Sequence, residues 1–213
     1  MKKILLLLFL FILSGPPPLS AAQPGLLVVG DSLSAGYGVA NDRRWVTLLA
    51  QRLQRHCGPF TVINASVTGD TSMGGVSRLP ALLAMHQPKI VIIELGGNDG
   101  LRGIGIATIR DNLQQMVRLA KEAEASVLLL GMRLPSNYGA DFVNAFHQVY
   151  YDVAKAESVP LVPFFLQDVA LDVRLMQSDG IHPNDEAQPI MLDNVWSEVK
   201  ALVQGSVTDC EIL

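Results

Sequence analysis

Five short runs of aliphatic and β-branched residues punctuate this chain: Leu26 to Val29, Phe60 to Asn64, Ile90 to Leu95, Val127 to Leu130 and Leu161 to Phe164. Each reads as a buried strand of an internal sheet. Helical stripes lie between them. Trp45, Leu48, Leu49 and Leu53 mark one; Ile109, Leu113, Met116, Val117 and Ala120 mark another. Phe142, Phe146, Val149, Tyr150 and Val153 repeat the spacing, and Ile190, Leu192, Val195, Trp196 and Val199 form a last, less regular stripe. Val76 to Met85 fits a further helix, with Pro80 either kinking it or opening it at its first turn. Strands that alternate with helices require right-handed crossovers and a parallel sheet covered on both faces. The predicted fold is therefore α/β, a single three-layer α/β/α domain around a five-stranded parallel sheet. Ligands of such sheets bind beyond the carboxyl ends of the strands.

The start of the chain reads as a leader rather than as fold. Lys2 and Lys3 precede an apolar run from Ile4 to Leu13, and Ser20, Ala21 and Ala22 offer small residues for cleavage before Gln23. Residues 1–22 are thus expected to be a signal peptide and residues 23–213 the mature domain. The apolar run is shorter than the roughly 20 residues that span a bilayer, and no cysteine follows it to carry a lipid anchor. Without the leader, 14 basic face 20 acidic residues. No basic patch suggests a nucleic acid, and no polybasic stretch suggests an anionic membrane. The expectation is a periplasmic or secreted monomer, not stably inserted in a membrane, that acts on small or amphiphilic molecules. Its two cysteines, Cys57 and Cys210, end the first predicted helix and follow the last. A disulfide is geometrically open to them if those helices lie side by side, and two unrelated thiols are the alternative.

Four short words carry the chemistry: GDSLS at Gly30 to Ser34, NASVTGD at Asn64 to Asp70, GGND at Gly96 to Asp99 and DGIHPN at Asp179 to Asn184. The first three follow predicted strands one to three, so they converge on one edge of the sheet. Their order excludes the GxSxG nucleophile elbow, whose acid and histidine lie on separate later loops. Ser32 stands where a strand ends, with a hydroxyl for nucleophilic attack. Alone, Ser32 or Ser34 would be read as a turn cap. The amides of Ser32 and Gly69 and the side chain of Asn98 supply three donors for a developing oxyanion. In isolation, TGD and GGND are ordinary turns or caps. His182 is the candidate base. Asp179, three positions earlier, is placed to accept from Nδ1 and leave Nε2 facing Ser32, with Pro183 stiffening the exit into the last helix. His56, His86 and His147 fall in or at the ends of helices and read as surface or packing residues. A metal site is the competing reading, but the chain has no HxH, no HExxH and no closely spaced acidic loop, so no metal is expected.

With these words in place the chain resembles the SGNH hydrolases, also called the GDSL family. The likeness runs on through RLPALL, ELGGNDGLRG, MRLPSNYG, LVPFF and DGIHPNDEAQP, and within the family it is greatest to bacterial thioesterases, lysophospholipases and arylesterases. The resemblance implies a flavodoxin-like sheet, a triad of Ser32, His182 and Asp179, and an oxyanion hole from Ser32, Gly69 and Asn98. It further implies hydrolysis of acyl thioesters, aryl and alkyl esters and lysophospholipids without a cofactor. Cys57 and Cys210 are not part of that family pattern. Gly36 to Arg44 and Met132 to Ala140 are candidates to border an acyl groove lined by Leu134, Pro135 and Tyr138, residues that core packing explains equally well. Two rivals share the sequence: a carbohydrate O-deacetylase using the same residues, and a periplasmic lipid-binding protein in which the four words are only turns.

Overall fold

The computed structural model describes residues 25–206 and Cys210; the expected signal peptide lies outside the described residues. Five parallel strands, β1 (Gly25–Gly30), β2 (Thr61–Asn64), β3 (Ile90–Glu94), β4 (Ser126–Leu130) and β5 (Leu161–Val162), form one sheet in the order β2-β1-β3-β4-β5. The helices are α1 (Ser32–Ala35), α2 (Trp45–Cys57), α3 (Ser72–His86), α4 (Gly97–Leu101), α5 (Ile106–Glu122), α6 (Ala140–Glu157) and α7 (Gln188–Ser206). α2 packs beside α7, while α3, α5 and α6 pack in a row on the other face. This is the expected three-layer α/β/α arrangement.

The β1 and β3 runs are buried along their whole length because helices cover them on both sides. The α5 stripe from Ile109 to Ala120 is completely buried, as its spacing predicts. Elsewhere the elements depart from expectation for identifiable reasons. β5 stops at Val162, two residues early, because Pro163 has no N–H to add to the ladder. The chain nevertheless stays beside β4, with the Gly131 N–H on the Val162 carbonyl at 2.8 Å and the Phe165 N–H on the Gly131 carbonyl at 2.9 Å. α3 starts at Ser72, four residues before the expected position, because the Thr71 hydroxyl accepts the Gly74 N–H and caps it there; Pro80 lies inside the helix rather than in its first turn. The buried stripe of α7 is Met191, Leu192, Val195, Val199 and Val203, so Ile190 and Trp196 sit at its margins, half exposed. Pro183 does not adjoin α7. It pairs with Met176 in an antiparallel bridge, and the helix opens later, at Gln188, whose side chain accepts the Trp45 N–H at 3.0 Å.

A disulfide joins Cys57 to Cys210 across a sequence separation of 153. Cys57 ends a helix that runs back from the carboxyl edge of β1, so the bridge sits at the amino end of the strands. Replacing both cysteines with alanine should lower stability by about 2–4 kcal/mol, read as an earlier thermal midpoint. A midpoint equal to the parent's would mean that the thiols are unpaired.

Candidate active site

The strand order reverses between β1 and β3, and the words GDSLS and GGND leave from these two neighbouring strand ends. Asp31, just past β1, is the residue that caps α1: its Oδ1 accepts the Leu33 N–H at 3.0 Å. Ser32 is therefore not a cap. It is the first helical residue, so its own N–H has no acceptor within the helix. Its hydroxyl lies 3.0 Å from His182 Nε2. Ser34, the other serine of the word, is fully buried and donates to Glu94 Oε2 at 2.7 Å.

His182 comes from the far end of the chain on a tight hairpin. The Gln177 N–H donates to the His182 carbonyl at 2.7 Å, and the Gln177 side-chain amide donates to the carbonyls of Tyr37 and Pro183. The Tyr37 ring rests against the imidazole with centroids 4.6 Å apart. Asp179 Oδ1 accepts the N–H groups of Ile181 and His182, and Oδ2 lies 2.7 Å from His182 Nδ1. These bonds, led by the His182 backbone N–H, lower the Asp179 carboxyl to about 2. Being ionised, it can only accept, so Nδ1 of a neutral imidazole must carry the proton and Nε2 must present its lone pair to Ser32.

Gly69 follows β2 with φ of 79°, a left-handed conformation that glycine adopts without strain. Its carbonyl accepts from Arg102 at 3.1 Å, and its N–H has no acceptor among the described residues. Gly96, with φ of 109°, turns the chain from β3 into α4; a Cβ there would meet the Tyr150 hydroxyl at 2.5 Å. Asn98, in that helix, donates from Nδ2 to Asp31 Oδ2 at 3.0 Å and to the Asp70 carbonyl at 2.9 Å. The three donors named from sequence thus meet at one edge, two with free hydrogens and one with both hydrogens engaged.

The groove residues divide. Leu134 is core, packed where it faces Gly100, whereas Pro135 is exposed and the Tyr138 hydroxyl donates to the Leu101 carbonyl at 3.1 Å. The crevice immediately beside Ser32 is lined instead by Leu33, Gly36, Tyr37, Val39 and Pro183. A larger depression of about 580 Å³ lies at the opposite end of the sheet, between α3 and α5, and contains none of the motif residues. Among the described residues, no group of three or more His, Cys, Asp or Glu is placed to hold a metal ion.

Sequence reasoning gave no role to Arg78, Asp31, Glu94 or Asp99. Arg78, on α3, donates to Asp70 Oδ2 at 2.7 Å, to the Gly30 carbonyl at 3.2 Å and to the Ala65 carbonyl. One guanidinium therefore ties GDSLS to NASVTGD. Asp99 is fully buried and accepts both the N–H and the hydroxyl of Ser72, which anchors α4 to the start of α3. The words GDSLS, RLPALL and ELGGNDGLRG contain these four residues without showing their partners.

The chain matches the model of the GDSL-like lipase/acylhydrolase family over residues 28–189. It belongs to that family. The SGNH hydrolase is 51% identical over 183 residues to the esterase TesA of Pseudomonas aeruginosa, covering 86% of this chain and 91% of that protein. It is 46% identical over 184 residues to thioesterase 1/protease 1/lysophospholipase L1 of Escherichia coli K12, covering 86% and 87%. A crystal structure of TesA superimposes with a TM-score of 0.82 at 52% identity, covering 84% of this chain and 99% of that one.

Two carboxyls below the site titrate abnormally. Burial raises Asp31 to about 6, and burial followed by the Asp31 charge holds Glu94 well above the usual carboxylate range. Between about pH 4 and pH 6 the folded protein keeps a proton on Asp31 that the unfolded chain has lost, so stability falls as pH rises through that window. Asp31→Asn removes this titration. Its thermal midpoint should fall less steeply across the window than the parent's; an identical slope would show that Asp31 titrates normally in the folded protein.

Proposed function

We propose that this SGNH hydrolase cleaves carboxylic esters and acyl thioesters through an acyl-enzyme on Ser32. The observation that carries the reading is the hydrogen-bonded sequence from Ser32 Oγ to His182 Nε2 and from His182 Nδ1 to Asp179, with the N–H groups of Ser32 and Gly69 left without acceptors among the described residues. Neutral His182 takes the proton of Ser32 as Oγ attacks the acyl carbonyl. The tetrahedral oxyanion is held by the N–H groups of Ser32 and Gly69 and the amide of Asn98. The imidazolium, stabilised by the ionised Asp179, passes its proton to the departing alcohol or thiol. Water activated by the same histidine then releases the acid. Every step uses side-chain and backbone groups of this chain together with water, and none calls for a cofactor.

The substrates are small acyl esters, including aryl esters, acyl thioesters and lysophospholipids. The acyl chain lies along the surface between Tyr37 and the Pro135–Tyr138 turn. The leader at residues 1–22 directs the enzyme to the periplasm or the medium, where it works as a monomer and the Cys57–Cys210 bridge persists in an oxidising compartment. No described helix is long and apolar enough to cross a membrane.

Initial rates on aryl esters of increasing acyl length, with an acyl thioester alongside, test the reading. Turnover should rise beyond the acetyl ester and drop by at least about 10⁴-fold in Ser32→Ala. Activity confined to acetyl groups would favour the deacetylase. Saturable binding without turnover, indifferent to Ser32→Ala, would favour the lipid-binding protein. Asn98→Ala should lower kcat by about 10²- to 10³-fold, and Asp179→Asn by about 10⁴-fold with folding intact; normal turnover in either would remove that residue from the mechanism.

A further inference from the structure

Asn98 has two amide hydrogens, and both are committed, one to Asp31 Oδ2 at 3.0 Å and one to the Asp70 carbonyl at 2.9 Å. An oxyanion can be received only if one of these bonds is given up. The two acceptors differ in charge and in how firmly they are held. Asp31 is 2% exposed and fixed on three sides: its Oδ1 accepts the Leu33 N–H, its own N–H donates to Glu94 Oε2 at 3.3 Å, and its backbone continues directly into Ser32. The Asp70 carbonyl is a neutral acceptor in the turn that follows Gly69, half-buried at the rim. Hydrogen bonds to an ionised carboxylate are roughly twice as strong as those between neutral groups, so the bond to Asp70 is the one that yields.

We propose that Asp31 is the positioning residue of the oxyanion hole: it holds the Asn98 amide by one hydrogen so that the other passes from the Asp70 carbonyl to the oxyanion. Asp31 does not touch substrate and acts only through Asn98. The same carboxylate caps α1 through its other oxygen, a role that an asparagine side-chain oxygen also fills. The charges that bear on it come from every side of the site: Glu94 from β3, Asp70 from the β2–α3 turn and His182 from the hairpin. Of these, His182 favours the ionised form that accepts from Asn98, while burial raises the carboxyl to about 6. An asparagine at this position has one acceptor oxygen in place of two and sets an NH₂ group against either Leu33 or Asn98.

The inference rests on the acyl-hydrolase reading, and a double-mutant cycle separates the two. Rates are measured on an aryl ester for the wild type, Asp31→Asn, Asn98→Ala and the double variant, with thermal midpoints confirming that each is folded. Asp31→Asn should lower kcat by about 10- to 100-fold with KM within about twofold, but change kcat by less than about twofold when Asn98 is already alanine. A loss of the same factor in both backgrounds would make Asp31 a capping residue only and overturn the proposal, as would a normal kcat in Asp31→Asn alone. If Asp31→Asn does not fold, Asp31→Ser takes its place in the cycle, since serine keeps an oxygen for the Leu33 N–H but cannot reach Asn98. Activity that survives Ser32→Ala would defeat the hydrolase reading whatever the cycle gives.

Discussion

The reversal of strand order between β1 and β3 governs everything else in this molecule. Chain leaving β1 turns back over one face of the sheet and chain leaving β3 over the other, so no helix closes the gap beyond their carboxyl ends. Three loops with unsatisfied backbone groups meet there. Buried polar groups must find partners, and the partners come from across the domain: Arg78 from α3 for the carbonyls of Gly30 and Ala65, Ser72 for Asp99, and Ser34 with the Asp31 N–H for Glu94. The site is thus an opening kept rigid by polar contacts.

That arrangement sets stability against function. Three carboxyl groups, Asp31, Glu94 and Asp99, are almost wholly removed from solvent under one small surface. One oxygen of Glu94 has no hydrogen-bond partner among the described residues, and its carboxyl is held well above its usual range by burial. An apolar core at this edge would be easier to bury. It could neither orient a side-chain amide nor support an imidazolium.

The sequence was most legible where a residue's role is local. Uniformly apolar, β-branched runs announced the inner strands because burial on both faces leaves no alternation, and the α5 stripe followed from helical period alone. Ser32, His182 and Asp179 could be singled out because a nucleophile, a base and an orienting acid demand particular side chains, and the structure brings the three within hydrogen-bonding distance. Boundaries failed where a backbone group decided them, as at Pro163 and Thr71. Of the α7 stripe, Leu192, Val195 and Val199 are buried as expected, and Ile190 and Trp196 were counted with them because they are as apolar as the residues that are truly buried. Arg78 and the double engagement of Asn98 were invisible for a different reason. Some of their partners are main-chain carbonyls, which every residue has, and the others, Asp70 and Asp31, are brought to them by the fold and not by a spacing that a side-chain pattern records.

The bridge between Cys57 and Cys210 has a topological consequence. Ser32 lies ahead of the covalent loop it closes, and His182 lies within that loop. The turn at Leu171 and Val173, whose side chains are 99% and 86% exposed, also lies inside it. A protease that cuts this turn produces two polypeptides that remain one molecule, with Ser32 and His182 on separate pieces joined through sulfur and held in register by the shared sheet. In the oxidised protein, hydrolytic damage at its most exposed aliphatic turn cannot carry the histidine away from the serine.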